Sequence, residues 1–252
     1  MISRATYDAL VMGIFAAGVV TFVSLFFVVA PYGRHERAGW GPTLPDRLGW
    51  MVMESPSLIW FSILFFSGKH HGEAAPLVLW AMWALHYTNR TLVYPLRTKT
   101  KGKRMPVVIV AMALAFNVTN ATANASWIGD LGAYPKTWVV HPAFIGGVAL
   151  FALGMFVNMD ADRRLFSLRK PGDTSYKIPH GGLYERVSCP NYLGEIVEWT
   201  GWAIASWSLG GAAFAFYTIA NLAPRAASNH AWYRQKFSDY PPRRKALIPF
   251  VW

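Results

Sequence analysis

The sequence predicts an all-α integral membrane bundle of seven spanning helices, and three observations carry that expectation. Of 252 residues, 54% are hydrophobic and 15% charged, where soluble domains carry about a quarter charged. Apolar stretches of roughly 20 residues, the length that crosses a bilayer, recur along the chain. Lys and Arg gather in short segments between those stretches. Aromatics reach 15%, which excludes a disordered chain. The single cysteine, Cys189, excludes a disulfide scaffold and a Cys-based metal site, and no metal is expected.

The first helix is expected at 10–30. It is long for a signal peptide, has no clear cleavage site, and stops at Pro31-Tyr32-Gly33. The second falls at 50–67. The third (76–94) and fourth (106–126) each open on a proline, tolerated at a helix start. The fifth is expected at 139–157. A polar segment, 159–190, separates it from the sixth (192–208) and seventh (210–223), which meet at Gly210-Gly211. A tail, 224–252, completes a single transmembrane domain, 1–252.

The formal net charge is +11, and its distribution decides its meaning. Arg34, Arg37 and Arg47 precede the second helix. Arg97, Lys99, Lys101, Lys103 and Arg104 precede the fourth. Arg163, Arg164, Arg169, Lys170, Lys177 and Arg186 lie in 159–190, and Arg225, Arg234, Lys236, Arg243, Arg244 and Lys245 follow the seventh. With seven helices, these twenty of 24 basic residues share one side, and the opposite side carries Arg4, Lys69 and Lys136. The positive-inside rule then places the N-terminus outside and the C-terminus in the cytoplasm. Basic loops between membrane helices contact lipid headgroups and offer no nucleic-acid face. Neither GxGxxG nor GxxxxGK[ST] occurs, so no Rossmann or P-loop nucleotide site is signalled. The Asn-x-Ser/Thr matches at Asn89, Asn117, Asn120 and Asn124 fall inside expected helices and are discounted as glycosylation acceptors.

Ionisable and amide groups within a bilayer are expensive and are functional candidates by default. Glu54 stands near the start of the second helix. The third carries His86, Tyr87, Asn89 and Arg90, and Tyr87, Arg90, Thr91 and Tyr94 share one face. Asn117, Asn120 and Asn124 line one face of the fourth; Asn158 and Asp162 close the fifth. Asn191, Glu195 and Glu198 line one face of the sixth. These stripes either meet in one cavity or join helices by hydrogen bonds. Glu195 and Glu198 lack a basic neighbour on their own helix, and the 159–190 segment or the tail is the nearest supply. Arg163, Arg164, Arg169 and Arg186 suit either a polyphosphate or anionic lipid headgroups. Arg225, His230, Tyr233 and Arg234 continue the helical spacing into the tail. Arg243-Arg244-Lys245 reads as a membrane-surface patch. Buried carboxylates would also suit the proton relay of a transporter, a reading that leaves the tail without a role.

Four blocks of this sequence resemble the steroid 5α-reductase (3-oxo-5α-steroid 4-dehydrogenase) family. They are IPHGGLYERVSCPNYLGEIVEWTGWAIASW (178–207), RAASNHAWYRQKFSDYPPRRKALIPF near the C-terminus, HYTNRTLVYPL (86–96) and GMFVNMDADRRLFSLRK (154–170). The likeness covers roughly 50–252; the first fifty residues carry no specific match. It implies a seven-helix enzyme of a bacterial inner membrane or endoplasmic reticulum, a bacterial or other non-animal homologue, that reduces the Δ4 bond of 3-oxo-Δ4 steroids with NADPH. Carried over by position, Tyr87 and Glu54 contact the steroid C3 carbonyl. Arg90, Asn158, Asp162, Arg169, Arg186, Asn191, Glu195, Arg225, His230, Tyr233 and Arg234 match blocks that hold the cofactor. Relatives often carry His-His where this chain has Asn229-His230. Reduction at C5 leaves negative charge on the C3 oxygen, which the Tyr87 phenol and a protonated Glu54 stabilise by donating to it. The alternatives are a reductase of another lipid enone or enoyl thioester, and a membrane S-adenosylmethionine-dependent methyltransferase, since much of the C-terminal block is shared.

Overall fold

The computed structural model describes residues 2–98, 102–168 and 175–252. Among them are eight α-helices and one two-stranded ribbon. α1 (Arg4–Phe27) starts earlier than its apolar run because Ser3 caps it, its hydroxyl accepting the Thr6 N–H at 3.1 Å. β1 (Thr43–Pro45) pairs antiparallel with β2 (Arg104–Pro106). The ribbon brings the starts of α2 (Asp46–Phe66) and α5 (Val107–Ser126) side by side. Between them, α3 (Ala74–Thr88) passes through a wide π turn, Asn89–Val93, into the short α4 (Tyr94–Arg97). The Tyr94 N–H donates to the Asn89 carbonyl five residues back. The widening has a local cause: Pro95 has no N–H, and in a regular helix its ring would press on the Thr91 carbonyl.

α6 spans Pro142–Ser167, ten residues beyond the expected end. The apolar pattern stops near 157, but nothing there breaks a helix, so the backbone continues past the apolar boundary. Asn158 and Asp162 are therefore interior to α6, and the segment expected as a loop from 159 is helical over its first third. α7 spans Pro190–Ser206, and α8 runs Leu209–Lys236 through Pro224. Arg225, His230, Tyr233 and Arg234 consequently lie on a helix, as their spacing indicates.

Among the described residues, four segments are long and apolar enough to cross a membrane: Arg4–Phe27, Asp46–Phe66, Val107–Leu131 and Pro142–Ser167. At 15 and 17 residues, α3 and α7 fall short of that length, and α8 mixes polar residues along its 28.

The closest helix pair is α6–α7. A Cβ on Gly194 would sit 2.5 Å from the Asn158 nitrogen, and one on Gly147 2.5 Å from the Ala205 nitrogen. Glycines seven residues apart on both helices, 147 and 154 against 194 and 201, let the backbones touch. This contact fixes the height of Asn158 and Asp162 against Asn191, Glu195 and Glu198. Around it packs a core of large rings, with Trp83, Trp199, Trp202, Phe61 and Phe65 fully buried.

The tail folds back onto the segment before α7. Ser188 N–H donates to the Lys245 carbonyl (2.8 Å), Lys245 N–H to Arg186 (2.9 Å) and Cys189 N–H to Ala246 (3.2 Å). Arg244 is 2% exposed and donates to the Pro179 carbonyl at 2.8 Å. Its other nitrogen lies 3.2 Å from His180 Nδ1 and 3.4 Å from Glu185 Oε2. The expected membrane-surface patch is thus split: Arg243 is exposed, whereas Arg244 is an internal clasp.

Candidate active site

α2 and α5 together position Glu54. Asn117, the first amide of the α5 stripe, donates to the Met53 carbonyl at 2.6 Å and to Glu54 Oε2 at 3.3 Å. The other two amides pair with each other, Asn124 Nδ2 donating to Asn120 Oδ1 at 2.8 Å. Of the three, only Asn117 engages the candidate site. Ser57, one turn beyond Glu54, is fully buried, and its hydroxyl completes no hydrogen bond.

Tyr87 faces these groups from α3. Its ring is boxed by Trp83 (5.1 Å between centroids), His86 (5.0 Å) and Trp199 (5.7 Å). Its phenol lies beside the Ser57 hydroxyl and in electrostatic reach of Glu54, Glu195 and Arg90. Three walls of aromatic carbon leave the hydroxyl one polar direction, toward α2. Arg90, in the π turn, stacks over Trp50 at 4.8 Å and Tyr94 at 4.7 Å. Among the described residues it makes no ion pair, yet Glu195, Glu54 and Asp162 all act on it.

Asp162, Asn158 and Asn191 form the next layer. Asn191 Nδ2 donates to Asp162 Oδ1 at 3.3 Å, and Asn158 Nδ2 to the Asn191 carbonyl at 2.9 Å. Asp162 Oδ2 is buried and unbonded. A narrow cleft beside Tyr94, Arg97 and Phe166 reaches it. Glu195 is half-buried on α7, in reach of Arg90 and Arg225. The basic partners of the α7 carboxylates are therefore His86 and Arg90 from the third predicted helix and Arg225 from the tail, and none comes from the described residues of the loop. Glu198, fully buried, takes a 2.7 Å hydrogen bond from His86 Nδ1.

α8 and the segment between α1 and β1 complete the cluster. Arg225 lies over Tyr32 at 5.0 Å and Tyr192 at 5.5 Å. Arg34 lies over Tyr233 at 4.6 Å and Trp232 at 5.2 Å, with Nη1 buried and unbonded. His35 Nε2 is 3.0 Å from Asn229 Oδ1, and Asn229 also donates to the Tyr192 hydroxyl at 3.3 Å. His230 Nδ1 is 2.6 Å from the Ser188 hydroxyl, which is 2.6 Å from that of Tyr240. Burial, then the charges of Arg234 and Lys245, hold the His230 pKa below the ordinary imidazole value. Burial first, and the nearby Arg34, Arg225 and Arg37, do the same for His35.

Glu54, Tyr87, Arg90, Asp162, Asn158, Asn191, Glu195, Arg225 and Tyr233 thus face one connected interior region. His230 adjoins it through Ser188. Arg234 is exposed, and Arg186 is exposed with its guanidinium over Phe250 at 5.1 Å; neither enters the region. Arg169 lies outside the described residues. In the sequence, Tyr32 belongs to a helix break and Arg34 to a basic segment, and His35 between that break and the second helix is not singled out. Their signal was an aromatic beside Arg-His in a segment with no reason to pack.

These groups have the chemistry a dinucleotide needs. The buried, unbonded Nη1 of Arg34 matches a phosphate oxygen, the carboxylates of Asp162 and Glu195 accept from hydroxyl or amide donors, and Tyr32, Tyr192 and Trp232 offer flat apolar faces.

Comparison with known proteins agrees with the resemblance in the sequence. The family model described as 3-oxo-5-alpha-steroid 4-dehydrogenase matches residues 103–252, more than half of the chain. The steroid 5-alpha-reductase DET2 of Gossypium hirsutum is 46% identical over 239 residues, 92% of each chain. The 3-oxo-5-alpha-steroid 4-dehydrogenase 1 of Rattus norvegicus is 42% identical over 245 residues, 95% of this chain and 94% of its own. The DET2 protein of Solanum lycopersicum is 41% identical over 251 residues, 98% of this chain. The likeness therefore extends into the first fifty residues, where sequence reading found no match, and that stretch carries Tyr32, Arg34 and His35. Over most of its length, this chain belongs to the 3-oxo-5-alpha-steroid 4-dehydrogenase family.

Proposed function

We propose that the protein is a multi-pass membrane enzyme that reduces the Δ4 double bond of 3-oxo-Δ4 steroids with NADPH. The observation that carries this reading is the Tyr87 ring held in an aromatic box, with its phenol beside Ser57 and in electrostatic reach of Glu54, in a chain whose relatives bear that enzyme's name. NADPH, when bound, supplies the hydride that C5 receives. The protein's task is then at the C3 oxygen, where negative charge develops. The Tyr87 phenol donates to that oxygen, and Glu54, in its protonated form, is a second donor oriented by Asn117. Trp83, Trp199 and Phe61 exclude water around them, which strengthens both interactions. Protonation at C4 completes the reduction.

Arg34 and Arg225 would hold the phosphates, and Asp162, Asn191 and Glu195 the hydroxyl and amide donors. Arg90 lies between that set and Tyr87, placing the reacting ends of the two substrates next to each other. Four segments among the described residues have the length and apolarity to span; α3 with its π turn, α7 and the first half of α8 (210–223) are proposed as the remaining three spans, shielded by the others, and the second half of α8 extends into the cytoplasm. With seven spans, the N-terminus faces outward and the basic segments the cytoplasm, the side from which a water-soluble dinucleotide arrives, whereas an apolar steroid arrives through the bilayer.

The test is turnover of testosterone or progesterone by the purified protein with NADPH. A 5α-dihydro product is expected, and its absence would rule out the substrate assignment. Binding of NADPH measured against S-adenosylmethionine separates a reductase from a methyltransferase, and a panel of lipid enones and enoyl thioesters separates the steroid from other substrates.

A further inference from the structure

The reading above gives no part to an ion-pairing side-chain contact sealed in the aromatic core, His86 with Glu198. Nδ1 and Oε1 are 2.7 Å apart; His86 is 3% and Glu198 0% exposed. Glu198 Oε2 has no partner. Burying such a pair gives little or no stability over apolar residues of the same volume, so a core of five large rings does not need it to cohere.

α3 is already tied on two successive turns. The Trp202 indole donates to the Leu79 carbonyl at 3.2 Å, and the Trp83 indole to the Ser57 carbonyl at 2.7 Å. His86 is the next turn, and immediately beyond it the backbone widens at Asn89–Val93. A π turn is a place where a helix can change direction, so the orientation of the turns beside it needs fixing by contacts. The His86–Glu198 bond is the last directional tie before that turn. Its anchor lies in a close helix contact, because Glu198 stands where the α7 backbone presses against Gly154 of α6. The imidazole also packs its edge on both Tyr87, at 5.0 Å, and Trp199, at 4.6 Å, so a fixed imidazole fixes one wall of the Tyr87 box.

We infer that His86 and Glu198 are positioning residues: their buried hydrogen bond locks the rotation of α3 against α7 and so keeps the Tyr87 phenol aimed at Glu54 and Ser57. The inference rests on the proposed role of Tyr87, and neither residue touches substrate. A shape-filling contact could be replaced by apolar side chains without loss of turnover; a directional lock could not.

The experiment compares Glu198→Gln, Glu198→Leu and His86→Phe/Glu198→Leu. The amide oxygen of Glu198→Gln accepts the same imidazole N–H, so kcat stays within about threefold of the parent. The double variant restores apolar packing. Its melting temperature is expected at or above that of the parent, while kcat falls about 10- to 100-fold and KM for steroid and NADPH changes less than about threefold. In a Tyr87→Phe background, Glu198→Leu should produce no further loss, since the pair acts through the missing hydroxyl. A second readout needs no turnover: 3-fluorotyrosine placed at position 87 should give one sharp fluorine resonance in the parent and a shifted or broadened one in the double variant. Normal kcat in a stable double variant, or an unchanged resonance, overturns the inference. Absence of steroid turnover in the parent with a disturbed resonance in the double variant would instead remove the proposed reaction and leave the lock standing.

Discussion

Asn117 holds Glu54 from the neighbouring helix: one amide nitrogen donates both to the Met53 carbonyl at 2.6 Å and to Glu54 Oε2 at 3.3 Å. The shorter bond pins the amide to the α2 backbone, and the longer one aims the carboxyl. Asn117→Ala frees Glu54 to rotate. Such misplacement costs about 10- to 100-fold in kcat, and cofactor affinity should be unchanged. Steady-state kinetics beside NADPH titration measures both; an unchanged kcat would show that Glu54 needs no such guide.

Tyr87→Phe removes the phenolic donor and keeps the ring that Trp83 and Trp199 enclose. Loss of one donor to a developing oxyanion lowers turnover about 10²- to 10³-fold. NADPH binding, measured by fluorescence transfer from the tryptophans, should survive. Equal loss of both would move Tyr87 into the cofactor site.

The proposed topology makes a labelling prediction. Lys69, Lys136, Arg104 and Arg243 are all exposed. In intact cells or sealed vesicles, Lys69→Cys and Lys136→Cys should react with a membrane-impermeant maleimide from outside. Arg104→Cys and Arg243→Cys should react only after permeabilisation. Labelling of all four from one side would mean fewer or more than seven spans.

Arg244→Ala should release the tail. It strands the buried Pro179 carbonyl and empties the space of the guanidinium stem, a loss on the order of 3 kcal/mol. The expected result is a lower melting temperature with early proteolytic cleavage after α8. The Arg243→Ala control, at an exposed position, should change neither.

Acidification should weaken the contact of α8 with its neighbours. The folded-state pKa values of His35 and His230 lie below the ordinary 6.5, so the unfolded chain binds protons more readily than the folded one. Stability from these groups is complete above pH of about 6.5 and declines as pH falls from there through their folded pKa values. Melting temperature should drop between pH of about 7 and 5, and His35→Gln with His230→Gln should flatten that slope. A slope that survives both substitutions would assign it to other groups.

Much of this was legible from residue order. Apolar runs marked the helices, and the i, i+3, i+4 spacing placed Tyr87 with Arg90 and Glu195 with Glu198 on single faces. The ends were less legible. α6 continues to Ser167 because hydropathy reports where an apolar surface stops, whereas a helix stops only at a breaker. The sequence alone determined the helices, the polar groups they must bury, the asymmetry of basic charge and the family resemblance, since each depends on local periodicity or on motif.

Tertiary structure alone decided the pairings. Glu198 bonds His86 across 112 positions, and Arg244 bonds Pro179 across 65. His35 reaches Asn229 across 194, which brings a segment legible only as a basic loop against the candidate site. Such partners are selected by the height and rotation at which helices dock. Here that docking is governed by glycine contacts between α6 and α7 and by indole bonds to carbonyls of other helices. A periodic pattern names the face that turns inward, but only close packing determines which residue of another helix lies within 3 Å of it.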